Sequence, residues 1–316
     1  MPGHAGFEPG VMLLDYDGPP SPPAAGRGEA FTAPSAQAVM ARAGSENFPV
    51  ASRALPRAAR EHLLAVYGFA RLVDELGDVA AGDRLAALDW LEHELDLAFA
   101  ARATHPLLVR LQRTIAACGL QRGPFARLIE ANRLDQRKQR YATWQELREY
   151  CALSADPVGE LVLSVLGCST PARIALSDSI CTALQLTEHC QDVAEDHARG
   201  RVYLPLEDLE RFGCPLDSLG AAHAGVPLRA VLAFEVERAR TLFAAGEPLV
   251  AELRGRPRLA IGAFVAGGRA ALTAIERAGY DVLAGPPPVS RALRALALAR
   301  ALAAAAASPR AASAGA

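Results

Sequence analysis

The sequence predicts an all-α fold, arranged as a single-domain helical bundle. Three observations carry that expectation. Apolar residues recur at helical spacing through most of the chain, while strand alternation, Asn-Gly hairpins and βαβ spacing are nearly absent. No repeat of about 20–50 residues and no internal linker divides the chain. Its 316 residues, 51% of them hydrophobic, are enough to bury a sizeable core.

Residues 1–35, dense in Gly, Pro and Ala (GPPSPPAAGRG), read as a disordered leader, and the helical domain is expected over 36–306. In GSENFPVASRALP, Pro49 and Pro56 break helices and Phe48 can anchor a turn. A helix is predicted from Pro56 to about Asp78, an amphipathic one from Asp83 to Ala101, and two more over Pro106–Cys118 and Pro124–Tyr141. In the last of these Arg133, Arg137, Lys138 and Arg140 are expected in solvent. Thr143 reads as the N-cap of TWQELREYCALSA, with Glu146 completing a capping box. Asp156-Pro157 restarts the helix before the apolar VGELVLSVLG. Further helices are expected up to about Asp196, then over 227–246 and 257–280. An alanine-rich final helix precedes a disordered tail at 307–316.

Two stretches carry chemistry. In QLTEHCQDVAEDHARGRVYLP, residues three and four apart place Gln185, Glu188, Asp192 and Asp196 on one line of a helix, with Glu195 beside it. IALSDSICTALQL upstream supplies apolar positions on the other faces, so this helix should pack into protein. In PRAAREHLLAVYGFARLVDELGD, Tyr67, Arg71, Asp74 and Asp78 form a second polar stripe on an otherwise apolar body. A solvated acidic face is the competing reading of either stretch alone. Two such helices in one chain weigh against it, because unpaired carboxylates within protein repel each other and cost several kcal/mol each. Acids without interspersed Cys or His suit a hard cation such as Mg²⁺ held between facing helices. Arg199, Arg201 and Tyr203, just beyond, are donors suited to an anionic substrate.

Other classes lack support. The net charge of −2 argues against nucleic-acid binding. Six cysteines without CxxC spacing read as reduced thiols of a cytoplasmic protein. No signal peptide is evident and no stretch reads as a transmembrane span. P-loop, GxGxxG, GxSxG and HExxH motifs are absent, and the seven histidines are dispersed.

ENFPVAS, YGFARLVDELGD, YCALSADPVGELVL and QLTEHCQDVAEDHARGRVYLP, in this order, resemble the squalene/phytoene synthase family over about residues 44–283. ENFPVAS with QDVAED and GRVYLP is most similar to its bacterial hydroxysqualene synthase branch, from hopanoid biosynthesis. The resemblance implies an isoprenoid-synthase helical fold around a deep apolar cavity. It implies that Asp74, Asp78, Asp192 and Asp196 hold Mg²⁺ ions gripping a substrate diphosphate. Tyr67 and Arg71 match diphosphate-binding positions, as do residues around Ser45, Glu46, Asn47 and Phe48. Gln185 matches a substrate-contacting glutamine, and Arg201 and Tyr203 match the RxY after the second motif.

The chain departs from the family pattern at three places. Glu188 stands where many relatives place a metal-binding Asn, and could still bind metal. Gln191 replaces a common Arg among the substrate-facing positions, and DELGD replaces the commoner DDxAD.

The implied reaction is Mg²⁺-dependent conversion of presqualene diphosphate and water to hydroxysqualene. Two alternatives stay open: head-to-head condensation of prenyl diphosphates such as farnesyl diphosphate, and a non-enzymatic assembly protein on the same fold. The final helix has two placements. Packing on the bundle is favoured by alanine's small insertion energy; peripheral membrane contact would turn Arg291, Arg294 and Arg300 towards headgroups.

Overall fold

The computed structural model describes residues 33–41, 55–79, 82–290 and six positions between 292 and 299. Among them there are helices, turns and coil, and no strand, so the chain is all-α. Residues 1–32 of the expected leader, the tail at 307–316, Ser45, Glu46, Asn47 and Phe48, and Arg291, Arg294 and Arg300 lie outside the described residues. Pro34 and Ser35 belong to the folded part and not to a disordered leader. Ser35 Oγ accepts from Ala38 N at 3.2 Å, capping α1 (Ala36–Ala41), and His105 Nε2 lies 3.0 Å from Pro34 O.

α2 (Arg57–Asp74) runs without interruption into a π-helical turn, Glu75–Val79. The predicted helix to Asp78 is therefore present, with a wider last turn. α3 (Arg84–Phe99) starts at Asp83, whose carboxylate accepts from Ala86 N at 3.0 Å. α4 (Pro106–Cys118) has proline in its first turn and Gly119 at φ 64° after its end, the positions where each residue suits a helix boundary.

α5 (Arg122–Asp135) ends well before Tyr141, where the periodicity predicts its end. The reason is competition for backbone groups. Val202 N donates to Gln139 O at 2.8 Å, Leu206 N to Tyr141 O at 2.9 Å and Glu207 N to Ala142 O at 3.0 Å. Residues 139–142 thus pair with 202–207 and are unavailable to a helix. Arg133 is not a solvated cation either: it bridges Asp89 at 2.6 Å and Glu92 at 2.7 Å.

α6 (Trp144–Ser154) has its expected cap, with Thr143 Oγ1 accepting from Glu146 N at 3.2 Å. The capping box is not closed. Glu146 Oε2 accepts from Ala142 N at 2.8 Å, one residue before the cap, and Glu207 takes Trp144 N at 2.6 Å.

α7 (Asp156–Val165) restarts at Asp156-Pro157 as expected, and α8 (Pro171–Gln191) and α9 (Val193–Ala198) follow. After α10 (Leu206–Arg211) come α11 (Val226–Gly246), α12 (Pro248–Glu252) and α13 (Gly255–Arg277).

α8 is the hub, packed most extensively against α11 and α7 and also against α13 and α6. Gly159 lets α7 approach it: a Cβ there would lie 2.2 Å from Ser177 Oγ and 2.6 Å from Cys181 Sγ. The buried apolar side chains form one contiguous core, and all six cysteines are free thiols. Contrary to the sequence expectation, α13 is long and apolar enough to cross a membrane. Its apolar window is 61% buried against protein, as in a core helix.

Candidate active site

Three irregularities in otherwise regular helices meet at one open cavity. They are the π turn after α2, a kink between α8 and α9, and the paired segments 139–142 and 202–207.

From α2 and the π turn that follows it the cavity receives Ala70, Val73, Asp74 and Asp78. The π turn carries Asp78, and Arg201 grips its carboxylate with both guanidinium nitrogens, at 2.5 and 3.4 Å. Gly77 makes this turn fit against α5, because a Cβ there would sit 2.1 Å from Asn132 Oδ1. Gln136 Nε2 locks the contact by donating to Gly77 O at 2.9 Å and Asn132 O at 3.1 Å.

The second acidic stripe was expected on a continuous helix, but the backbone departs from helical geometry at Asp192, with φ −102° and ψ 17°. Asp192 N still donates to Glu188 O at 2.9 Å, and Asp196 N to Asp192 O at 2.8 Å. The break is thus a kink that preserves register, and Gln185, Glu188, Asp192, Glu195 and Asp196 all line the cavity. Burial, then the neighbouring Asp192 charge, pushes the Asp196 carboxyl well above the usual carboxylate range. Arg199, on the same rim, pairs with Glu195.

The cavity floor is a stack of polar rings around a buried acid. Tyr150 donates to Asp135 Oδ2 at 2.8 Å and Tyr203 to Oδ1 at 3.3 Å. Burial pushes Asp135 up to about 7, against the pull of Arg201. His189 lies over Tyr203, 4.1 Å between ring centres at 10°, and Tyr141 stacks on the same tyrosine. Burial drives the His189 pKa down to about 3, so this ring is neutral. Gln185 Nε2 reaches its Nε2 at 3.2 Å. Burial disfavours the charge on Arg201, but Tyr203, Asp78 and Asp135 more than reverse this and hold its pKa above the ordinary value.

The structure thus brings Asp74, Asp78, Gln185, Glu188, Asp192, Asp196, Arg201 and Tyr203 to one cavity. Tyr67, Arg71 and Gln191 are not among its lining residues; Tyr67 and Arg71 are buried within α2, two turns and one turn before Asp74. Sequence reasoning missed Asn132, Tyr150, Ser154 and His189, and gave Asp135 no role. A signal for Asp135 exists: it falls on the α5 face of Leu128 and Ala131, where a carboxylate needs a reason to be.

Among the described residues, no three His, Cys, Asp or Glu side chains gather into a ready-made cation site. The donor set nonetheless suits Mg²⁺, which keeps several waters and takes one or two carboxylates together with substrate phosphate oxygens. The mutual repulsion of Asp192 and Asp196 is what such a cation would relieve.

The family profile described as squalene/phytoene synthase matches residues 41–294. A hydroxysqualene synthase from Rhodopseudomonas palustris is 38% identical over 213 residues, 66% of this chain and 72% of the relative. A phytoene synthase from Arthrospira platensis is 32% identical over 257 residues, 75% of this chain and 82% of the relative. A crystal structure titled squalene synthase HpnC from Alicyclobacillus acidocaldarius superimposes with a TM-score of 0.73 at 49% identity. It covers 78% of this chain and 93% of its own.

Proposed function

Because the chain belongs to the squalene/phytoene synthase family, whose members act on prenyl diphosphates, we propose that it converts presqualene diphosphate and water to hydroxysqualene and diphosphate, with Mg²⁺ as its cofactor. The observation that carries this reading is a cavity with carboxylates and arginines on one rim and Ala70, Val73, Leu128 and Ala131 on its wall. The chain that builds it is 38% identical to a hydroxysqualene synthase.

The chemistry follows from that asymmetry. Ionisation of the substrate C–O bond leaves charge on the diphosphate and a cation on the carbon skeleton. Bound Mg²⁺, held through Asp74, Asp78, Glu188, Asp192 and Asp196 together with substrate oxygens, would stabilise the leaving group electrostatically. Arg199, on the same rim, adds positive charge, and Arg201 fixes the Asp78 carboxylate in place. Asp135, titrating near 7 between two tyrosine hydroxyls, holds or releases a proton at the cavity floor. The apolar wall restricts water, so the cation survives long enough to rearrange. The apolar substrate and product suit work in the cytoplasm beside a membrane surface.

The second reading is head-to-head condensation or a reductive product. It is favoured by the phytoene synthase relative and by the neighbour titled squalene synthase. The purified protein, given Mg²⁺ and presqualene diphosphate in ¹⁸O-labelled water without NADPH, should form an alcohol carrying the label. A product unlabelled at oxygen, diversion to squalene by NADPH, or consumption of farnesyl diphosphate alone would overturn the hydroxysqualene assignment.

A further inference from the structure

The apolar wall of the cavity is interrupted by two neutral polar side chains that neither grip a charge nor belong to the acidic rim, Asn132 on α5 and Ser154 on α6. α5 and α6 are joined by Tyr150 to Asp135 and by Arg127 Nη1 to Ala152 O at 3.3 Å. Asn132, one turn before Asp135, and Ser154, one turn beyond Tyr150, each lie one turn from that Asp135–Tyr150 contact, and both line the cavity. Ser154 Oγ donates to its own helix at Tyr150 O (3.2 Å), which leaves its lone pairs as acceptors. Asn132 Nδ2 makes one long contact, 3.4 Å to Leu128 O, and retains a second N–H.

The seat for Asn132 is built. Gly77 vacates the space its amide oxygen occupies, since any Cβ there would lie 2.1 Å from that oxygen. Gln136 ties the backbones on both sides of the contact. A half-buried amide wedged against a glycine is costly to place on a wall meant only to shield a cation.

Resting on the hydroxysqualene reading, we propose that Asn132 and Ser154 bind the water that ends the reaction and so determine that the product is an alcohol. The Asn132 N–H donates to the water oxygen, and the water donates one hydrogen to Ser154 Oγ. A lone pair of that oxygen forms the new C–O bond to the allylic cation, and the remaining O–H bond breaks. Its proton passes to the departed diphosphate, so charge and atoms balance without any external oxidant or reductant. Where the water is absent, the cation loses a proton from a neighbouring carbon and a C30 hydrocarbon results.

The test is the partition between labelled alcohol and hydrocarbon, a ratio within each preparation that does not depend on its rate. Wild type, Asn132→Ala, Ser154→Ala and Gly77→Ala are each run with Mg²⁺ and presqualene diphosphate in ¹⁸O-labelled water. Each variant should shift the ratio towards hydrocarbon by about tenfold, the scale of one lost positioning hydrogen bond. Gly77→Ala keeps the amide but displaces it. Added to Asn132→Ala, it should shift the ratio no further. If a single variant fails to fold by circular dichroism, the other two carry the test. Wild-type ratios in every folded variant would overturn the water site while leaving the function intact. A wild type that makes no alcohol would overturn both.

Discussion

Asp192 sits where α8 bends into α9, and its charge helps to raise the Asp196 carboxyl far above its ordinary range. A protein keeps such a repulsive pair where something positive is to be bound, because burying like charges without compensation is destabilising. On the opposite wall Asp74 is 8% exposed, and what remains open faces the cavity. Asp74→Asn and Asp192→Asn should each lower turnover by about 100-fold or more while helicity by circular dichroism stays at the wild-type level. Near-normal activity in either variant at saturating Mg²⁺ would remove the two-wall site. These acids were legible in the sequence because helical spacing alone puts them in line. Asn132 and His189 were not. Their importance lies in what faces them across the fold: Gly77 for the one, Tyr203 for the other.

The helices themselves were largely legible, since apolar periodicity, proline starts and Thr143 are local signals. The errors share a cause. α5 stops early because residues 139–142 are claimed by a segment sixty residues away, and the second acidic helix kinks at Asp192 without any proline or glycine to announce it.

α11 carries a buried feature of another kind. Glu235 is fully buried beside Arg238 (2.5 Å), which also bridges to Asp208 (2.8 Å) and lies over Trp144 and Phe234. Burial raises its pKa to about 8 from an ordinary value of 4.5, in spite of Arg238. Between these values the folded state holds a proton that the unfolded chain has released. Stability on account of this group therefore falls as pH rises through that window. Glu235→Gln, neutral at every pH, escapes the loss. In urea melts the variant should gain on wild type from pH 5 to pH 8.5, whatever its absolute stability. A constant difference across that range would mean that Glu235 is ionised in the fold.

The cavity draws on α2, α5, α6, α8 and α9 and on the 201–203 segment, so its contents bear on the whole bundle. Most of the tertiary structure is an apolar core that needs no ligand, whereas the acidic rim is a local excess of like charge. A ligand of the folded state alone stabilises it by mass action, about 2.7 kcal/mol at a hundredfold excess over Kd. For a chain of this size that corresponds to a rise in Tm of roughly 5 °C. The sign of each component's effect follows from the site. Diphosphate alone meets the carboxylates of Asp74, Glu188 and Asp192 and should be repelled. Mg²⁺ alone finds no three-acid cage among the described residues and should bind weakly. Together they supply the oxygens and the charge that each lacks, so the shift in scanning fluorimetry should be much larger than the sum of the separate shifts. Asp74→Asn should reduce this synergy, because it removes one wall's contribution to a cation shared between helices. An equal shift with diphosphate alone would assign the anion to Arg199 and Arg201 without any metal, and the acids would then need another explanation.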